Sequence, residues 1–353
     1  MLGVNVNLLV PPLSEEQEAI KAFLEKQGLV YEGRPDASVI VEDPSGNIIA
    51  TGSLSGKVLK MLAIDPQWRE ANLSGTIITR LIEYGRSKGI THFFVFTKPD
   101  VADKFRSFGF RELARYKDYA AVLEMGHPGV DHFKRYLLEN KKELKEGQTA
   151  GAVVVNCNPF TKGHQYLIEQ ASKAVDHLYV VVVEADLSSF PFKHRIELVK
   201  KGTSHLPNVT VIKSGDYAVS PATFPSYFMK DASAEKIASI QARLDVTLFA
   251  NLFVPVLQIS KRFVGTEPYC AVTGSYNEAM KEVLPPRGVD LVEIPRLTLG
   301  DGTIVSASTV RELIRRDDWE NIRRLVPETT WEYLVSEKAG SVLAKIKEST
   351  GRH

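Results

Sequence analysis

The 353-residue sequence predicts an α/β protein of two domains, the second built on a doubly wound parallel sheet. Three observations carry this. Residues 152–156 and 178–184 are near-continuous apolar runs, as in strands buried on both faces, and a helical pattern follows each. Strand, helix and strand in that order make a right-handed βαβ unit. The stretch before residue 127 instead mixes a turn-linked pair of β-rich runs with helices, and the length suffices for two cores. The boundaries fall at residues 1–126, a connecting segment 127–148, and a second domain 149–353.

Composition narrows the class. Hydrophobic residues at 44% and charged residues at 25% are those of a soluble globular protein. The 44 basic and 43 acidic side chains nearly cancel, which argues against a nucleic-acid or membrane-surface partner drawn by bulk charge. Two cysteines, Cys157 and Cys270, make no disulfide framework, so a reducing cytoplasm is the expected home. The amino terminus lacks a basic region before its apolar residues, and Pro11-Pro12 interrupts them, so it reads poorly as a signal peptide. No apolar run in the sequence approaches the ~20 residues of a membrane span.

In the first domain, residues 1–12 read as an extended lead-in. Ser14-Glu15-Glu16-Gln17 has the form of a capping box, so a helix over 15–27 follows and ends at Gly28. Runs 38–42 and 47–54, separated by Pro44-Ser45-Gly46-Asn47, make a hairpin. A strand over 58–64, a helix over 72–88 stopped by Gly89, a strand over 91–97, a helix over 99–108 and a last strand over 119–123 complete it. His127, Asp131 and His132 have no further ligand nearby and read as a solvent-facing helix rather than a metal site. Residues 133–146 form a charged amphipathic connecting helix.

This order resembles the GNAT acetyltransferase fold, on Ile64-Asp65-Pro66-x-x-Arg69 and on Phe105-Arg106-Ser107-Phe108-Gly109-Phe110. The family's pyrophosphate loop, R/Q-x-x-G-x-G/A, is altered: Arg69-Glu70-Ala71-Asn72-Leu73-Ser74 has side chains at both small positions. A working acetyltransferase, a scaffold and a site for a partner's CoA-like arm all stay open.

The second domain is organised around residues 151–171. A buried strand runs into a turn with Asn158, Pro159 and Phe160, then into a helix opening near Gly163. A helix that starts directly after a strand aims its free N–H groups above the sheet edge, which suits phosphate. Gly163 admits a phosphate to the backbone, and His164 in the first turn can donate to a phosphoryl oxygen that gains charge. Thr161-Lys162-Gly163-His164 resembles the (H/T)xGH signature of the nucleotidylyltransferase superfamily, whose sheet is Rossmann-like. In that superfamily a residue at the place of Arg195, in Phe190-x-x-x-x-Arg195, faces the nucleotide's phosphates; on its own Arg195 reads equally as a surface charge.

The remaining elements are a strand over 209–214, a long loop 215–228 suited to a lid or substrate loop, a helix over 234–251, a strand over 262–265, a helix from 273 to 284 and a strand over 289–294. Ile304-Val305-Ser306-Ala307-Ser308-Thr309-Val310-Arg311 then places hydroxyls before a helix with an arginine one turn in. It resembles the superfamily's carboxy-terminal I-S-S-T-x-x-R element. Helices over 319–324 and 330–347 follow; Arg315, Arg316, Arg323 and Arg324 read as solvated.

Over nearly its whole length the chain resembles the [citrate (pro-3S)-lyase] ligase family. The likeness rests on residues 156–164, on Asp186-Leu187-Ser188-Ser189-Phe190-Pro191-Phe192, on Ser214-Gly215-Asp216-Tyr217, and on Lys261-Arg262-Phe263-Val264-Gly265-Thr266-Glu267-Pro268. It implies an enzyme that uses ATP, Mg²⁺ and acetate to acetylate the CoA-like prosthetic-group thiol of the citrate lyase acyl carrier subunit, releasing AMP and pyrophosphate. Under that resemblance His164 and Thr161 serve the α-phosphoryl oxygens. Arg195, Arg311 and the helix start with Ser306, Ser308 and Thr309 hold the β- and γ-phosphates. Asn158, Pro159, Phe160 and Gly163 line the nucleotide cleft. Lys162 either assists or faces solvent. An adenylyltransferase acting on a pantetheine phosphate or a nucleotide, and a non-catalytic nucleotide sensor, are the rival readings.

Overall fold

A computed structural model describes residues 3–184, 188–219, 223–266 and 271–349. Asp186, Leu187, the 220–222 part of the long loop, Glu267, Pro268 and Cys270 lie outside the described residues. The chain divides into two compact units, Met1–Phe133 with Phe224–Leu248, and Lys134–Thr223 with Phe249–His353. Residues 224–248, grouped by sequence with the second domain, therefore pack with the first.

The first unit contains β1 (Asn5–Leu9), α1 (Ser14–Lys26), β2 (Ala37–Glu42), β3 (Ile48–Ser55), β4 (Val58–Ile64), α2 (Leu73–Ser87), β5 (His92–Thr97), α3 (Pro99–Ser107), β6 (Arg111–Tyr116), β7 (Ala120–Gly126) and the start of α4 (Val130–Glu139). Its seven-stranded sheet runs β1-β2-β3-β4-β5-β7-β6. All neighbours are antiparallel except β4 and β5, which pair in parallel through Val58–Phe94 and Leu59–Val95. Beyond those pairs the two strands part, leaving a fork. Helix α2 buries Leu73, Ile77, Ile78, Leu81 and Ile82 in one core with residues of β2, β3 and β5. Helix, hairpin, strand, helix, strand, helix and a last strand thus follow in the order expected from the residue pattern.

Three details differ from the sequence reading. The lead-in is a true strand, with Asn5 opposite Glu42 and Leu9 opposite Ser38. Strand β6 was not foreseen, because Arg-Glu-Leu-Ala-Arg-Tyr has the polar character of a loop; it is an edge strand that needs only one apolar face. The start of α1 is held not by Ser14 but by Glu16, whose carboxylate accepts the Leu13 N–H at 2.6 Å.

The second unit holds the rest of α4, then β8 (Ala150–Val155), α5 (Lys162–Lys173), β9 (His177–Val182), α6 (Phe192–Gly202) and β10 (Val209–Lys213). Helix α7 (Ala234–Leu257) belongs to the first unit up to Leu248 and to the second from Phe249. The second unit continues with β11 (Ile259–Gly265), α8 (Ala271–Val283), β12 (Asp290–Ile294), α9 (Ala307–Arg315), α10 (Trp319–Leu325), α11 (Glu328–Leu334) and α12 (Gly340–Glu348). The connecting helix stops at Glu139 rather than 146, and the single helix expected over 330–347 is interrupted around a short 3₁₀ turn, Glu337–Ala339. Helix α7 corrects the expectation of no span-length apolar run: its length and composition pass for a membrane segment, but 67% of its most apolar stretch is buried inside the protein, as in a core helix.

Five parallel strands run β10-β9-β8-β11-β12. The chain leaves β8 in one direction for β9 and β10, then returns to its other side for β11 and β12. The order thus reverses between β8 and β11, and a crevice opens at their carboxyl ends, where ligands sit in open α/β sheets. Phe160 and Ile168 pack with Val153, Leu178, Leu198 and Phe263 beneath that crevice. A Cβ on Gly202 would lie 2.2 Å from Cε1 of Phe160. We predict that Gly202→Ala destabilises the fold by about 1–3 kcal/mol through overpacking, read as a lower denaturant midpoint with an unchanged m-value.

Candidate active site

The turn after β8 sets the site. Cys157 adopts a left-handed backbone (φ 54°), and the Asn158–Pro159 peptide is cis. Thr161 then caps α5 with an extended backbone. Its hydroxyl is placed to accept the His164 N–H at 3.4 Å, and it lies 2.9 Å from Nδ1 of the same imidazole. The Thr161 N–H also donates to Nδ1, at 3.1 Å. A nitrogen that accepts from a backbone amide carries no proton, so the neutral ring bears its hydrogen on Nε2. Burial, and then the positive charge of Arg296, push the imidazole down from 6.5 to about 4. His164 is therefore a neutral ring with a fixed tautomer, stacked on Phe160 at 6.2 Å between centroids and 18° between planes. Such a group is a hydrogen-bond donor rather than a cation at neutral pH.

The second segment meets this turn directly. Ser306 caps α9, accepting the Thr309 N–H at 3.1 Å, and its oxygen lies 2.9 Å from the Ser308 hydroxyl and 2.7 Å from that of Thr309. A Cβ on Gly163 would stand 2.6 Å from the Val305 carbonyl oxygen, so only glycine lets the backbone before α9 cross the first turn of α5. Arg311 Nη1 donates to the Asn158 carbonyl at 2.5 Å, Lys162 Nζ to the Arg324 carbonyl at 2.8 Å, and the Thr330 hydroxyl to the Phe160 carbonyl at 2.9 Å. Two helix starts distant in sequence thus stand side by side, with their N–H groups and dipole ends in one place.

Several residues read as ligand contacts brace the turn. Arg195 is fully buried; its Nη1 donates to the Asn156 carbonyl at 2.6 Å and to Asn156 Oδ1 at 2.9 Å, and its Nε to the Phe190 carbonyl at 3.0 Å. Asn158 Oδ1 accepts the Phe190 N–H at 3.1 Å. Phe160 belongs to the core, and its ring fills the space beside Gly202. Cys157 is buried, and burial raises its thiol despite the nearby charge of Arg195, so it is no nucleophile. Arg296 was missed. It follows β12, donates from Nε to the Thr266 carbonyl at 2.8 Å, and its charge acts on His164. The signal was an arginine just past the carboxyl end of the last parallel strand. Among the described residues no group of three His, Cys, Asp or Glu side chains could hold a metal. The described residues thus offer no such ligand set for Mg²⁺, and nucleotide phosphates and water would hold the ion there.

Two predictions follow from the turn. Replacing Gly163 with Ala forces the Val305 segment away, costing about 1–3 kcal/mol of stability and separating the two helix starts; denaturant unfolding reads the first effect and a crystal structure the second. For His164, the unfolded chain takes up a proton between pH 6.5 and about 4 that the folded ring refuses. The stabilisation is complete above 6.5 and is lost as pH falls toward 4, so wild type should weaken relative to His164→Gln across that window in parallel denaturations.

Comparison with known proteins agrees with this architecture. A family model described as the citrate lyase ligase C-terminal domain matches residues 150–334, the span that holds both helix starts. The [citrate [pro-3S]-lyase] ligase of Klebsiella pneumoniae is 36% identical over 323 residues, covering 90% of this chain and 92% of that protein. Its Escherichia coli K12 counterpart is 36% identical over 328 residues, covering 91% of each. That of Haemophilus influenzae is 34% identical over 331 residues, covering 91% of this chain and 97% of its own. With a matched domain model, and likeness carried across both units, the chain belongs to the [citrate (pro-3S)-lyase] ligase family.

Proposed function

We propose that this chain is an ATP-dependent ligase that joins acetate to the prosthetic-group thiol of the citrate lyase acyl carrier subunit. Acetate is a poor acyl donor, because oxide is a bad leaving group. An acetate oxygen attacks the α-phosphorus of ATP, the bond to the β-phosphate oxygen breaks, and pyrophosphate leaves. The thiolate then attacks the acetyl carbonyl, the bond to the phosphate oxygen breaks, and AMP leaves with the thioester formed. The proton lost from the thiol passes to solvent.

The observation that supports this reading best is the joining of two phosphate-suited helix starts through Gly163 and the Val305 carbonyl, with His164 in the first turn of one of them. His164 donates from Nε2 to a non-bridging α-phosphoryl oxygen as charge builds there, without first having to lose a proton. Thr161 acts through that ring by fixing its tautomer. The start of α9, with Ser308 and Thr309, receives the β- and γ-phosphates, and Arg296 adds positive charge beside His164. Arg195 and Arg311 position the turn that carries these groups. Mg²⁺, when bound with ATP, neutralises phosphate charge. A reducing cytoplasm remains the proposed compartment.

The test is exchange of labelled pyrophosphate into ATP, with and without acetate. Exchange should require acetate, and His164→Ala should lower it by about 10²–10³-fold while its thermal unfolding at pH 7 stays cooperative. Exchange that ignores acetate would make the chain an adenylyltransferase of another substrate. Full exchange in the variant would remove His164 from the mechanism.

A further inference from the structure

The first unit carries a fork between β4 and β5 to which the proposed reaction assigns no role. The two strands pair only through Val58–Phe94 and Leu59–Val95, although β4 continues to Ile64 and β5 to Thr97. Beyond the paired residues no ladder pairing joins β4 to β5. Met61, fully buried in β4, has a left-handed backbone (φ 57°), which turns its amide out of regular strand geometry. Gaps of this kind take extended ligands, because an amide-bearing chain can satisfy an N–H on one side and a carbonyl on the other.

Here the protein fills the gap itself. Tyr227, from a segment far along the chain but in the same compact unit, is 4% exposed and donates its hydroxyl to the Phe96 carbonyl on β5 at 2.9 Å. The Met61 backbone on β4 acts on the same hydroxyl as an N–H turned toward it does. One phenol thus sits between both arms of the fork. Its neighbours are seated as well. Phe224 packs edge-on to Phe96 at 5.7 Å, and Phe228 lies 5.1 Å from the Tyr227 ring. The Val30 N–H donates to the Tyr227 carbonyl at 2.9 Å, and Glu32 Oε1 accepts the Ser226 N–H and hydroxyl, each at 3.0 Å.

We propose that Tyr227 is an internal plug, through which the Phe224–Phe228 segment closes the fork of the first unit to extended amide-bearing ligands. An arm of that chemistry enters the fork only if the segment withdraws. A second observation agrees. Asn72, before α2, has a left-handed backbone (φ 54°) and its side chain makes no capping bond, so the loop that would face a diphosphate presents a side chain rather than bare backbone. The inference is independent of the adenylation reading, and either can fail alone.

The test uses the full chain, with hydrogen exchange read on the β4 and β5 peptides and coenzyme A as probe, because its arm is extended and bears amides. In wild type, coenzyme A should leave exchange in both strands unchanged. In Tyr227→Ala, checked for cooperative unfolding, it should slow exchange in both. Slowing in wild type, or none in the folded variant, overturns the plug. Should Tyr227→Ala fail to fold, Tyr227→Phe keeps the ring and loses only the hydroxyl. The Met61 amide should then exchange roughly three- to tenfold faster, as loss of one hydrogen bond gives; an unchanged rate overturns the proposal.

Discussion

The second unit depends on one close approach, that of the Gly163 backbone to the Val305 carbonyl oxygen. Helix starts concentrate positive potential only within their first turn, so two of them cooperate only when nearly in contact. Any side chain at residue 163 would occupy the space that allows it. The bond from Arg311 to the Asn158 carbonyl and that from Lys162 to the Arg324 carbonyl fasten the same meeting from either side. The parallel sheet supplies the platform: β8 and β11 are neighbours at the point where the strand order reverses, so the chain that follows each emerges above one crevice.

The electrostatics of the site divide by depth. Arg195 sits in the interior with its charge spread over the carbonyl oxygens of Asn156 and Phe190 and the Asn156 side chain. Charge-assisted bonds to fixed dipoles offset part of the cost of taking a guanidinium out of water. Above it, His164 is kept uncharged by burial and by Arg296. A permanent cation below and a neutral donor above let the site attract phosphate without an imidazolium to neutralise. The geometry of the donor is fixed before any ligand arrives, because the Thr161 amide and hydroxyl both face Nδ1.

Much of this was legible in the residues. Continuous apolar runs gave the parallel strands, and Thr161 with His164 marked a helix start, because hydroxyl caps and free amides are local chemistry. Ser306 and Arg311 were legible for the same reason. What stayed hidden was which face of each side chain points inward. Arg195 and Phe160 match a motif whether they touch nucleotide or brace the turn, and only the packing shows that both are interior. Arg296 belongs to no motif and becomes visible only when β12 is placed at the sheet edge. The polar strand β6 and the early end of α4 escaped because edge strands and helix ends obey weak local rules.

The division of α7 between the units has a bearing on synthesis. Residues 224–248 complete the first unit, yet nearly all of the β8–β10 half of the second unit precedes them in the chain. A nascent chain leaving the ribosome cannot bring the first unit to its final packing when residue 133 emerges; it must wait until residue 248 has been made. The amino-terminal part is thus the first to be translated but not the first able to finish, and a fragment cut at residue 133 would lack Phe224, Tyr227 and Phe228 from its interior.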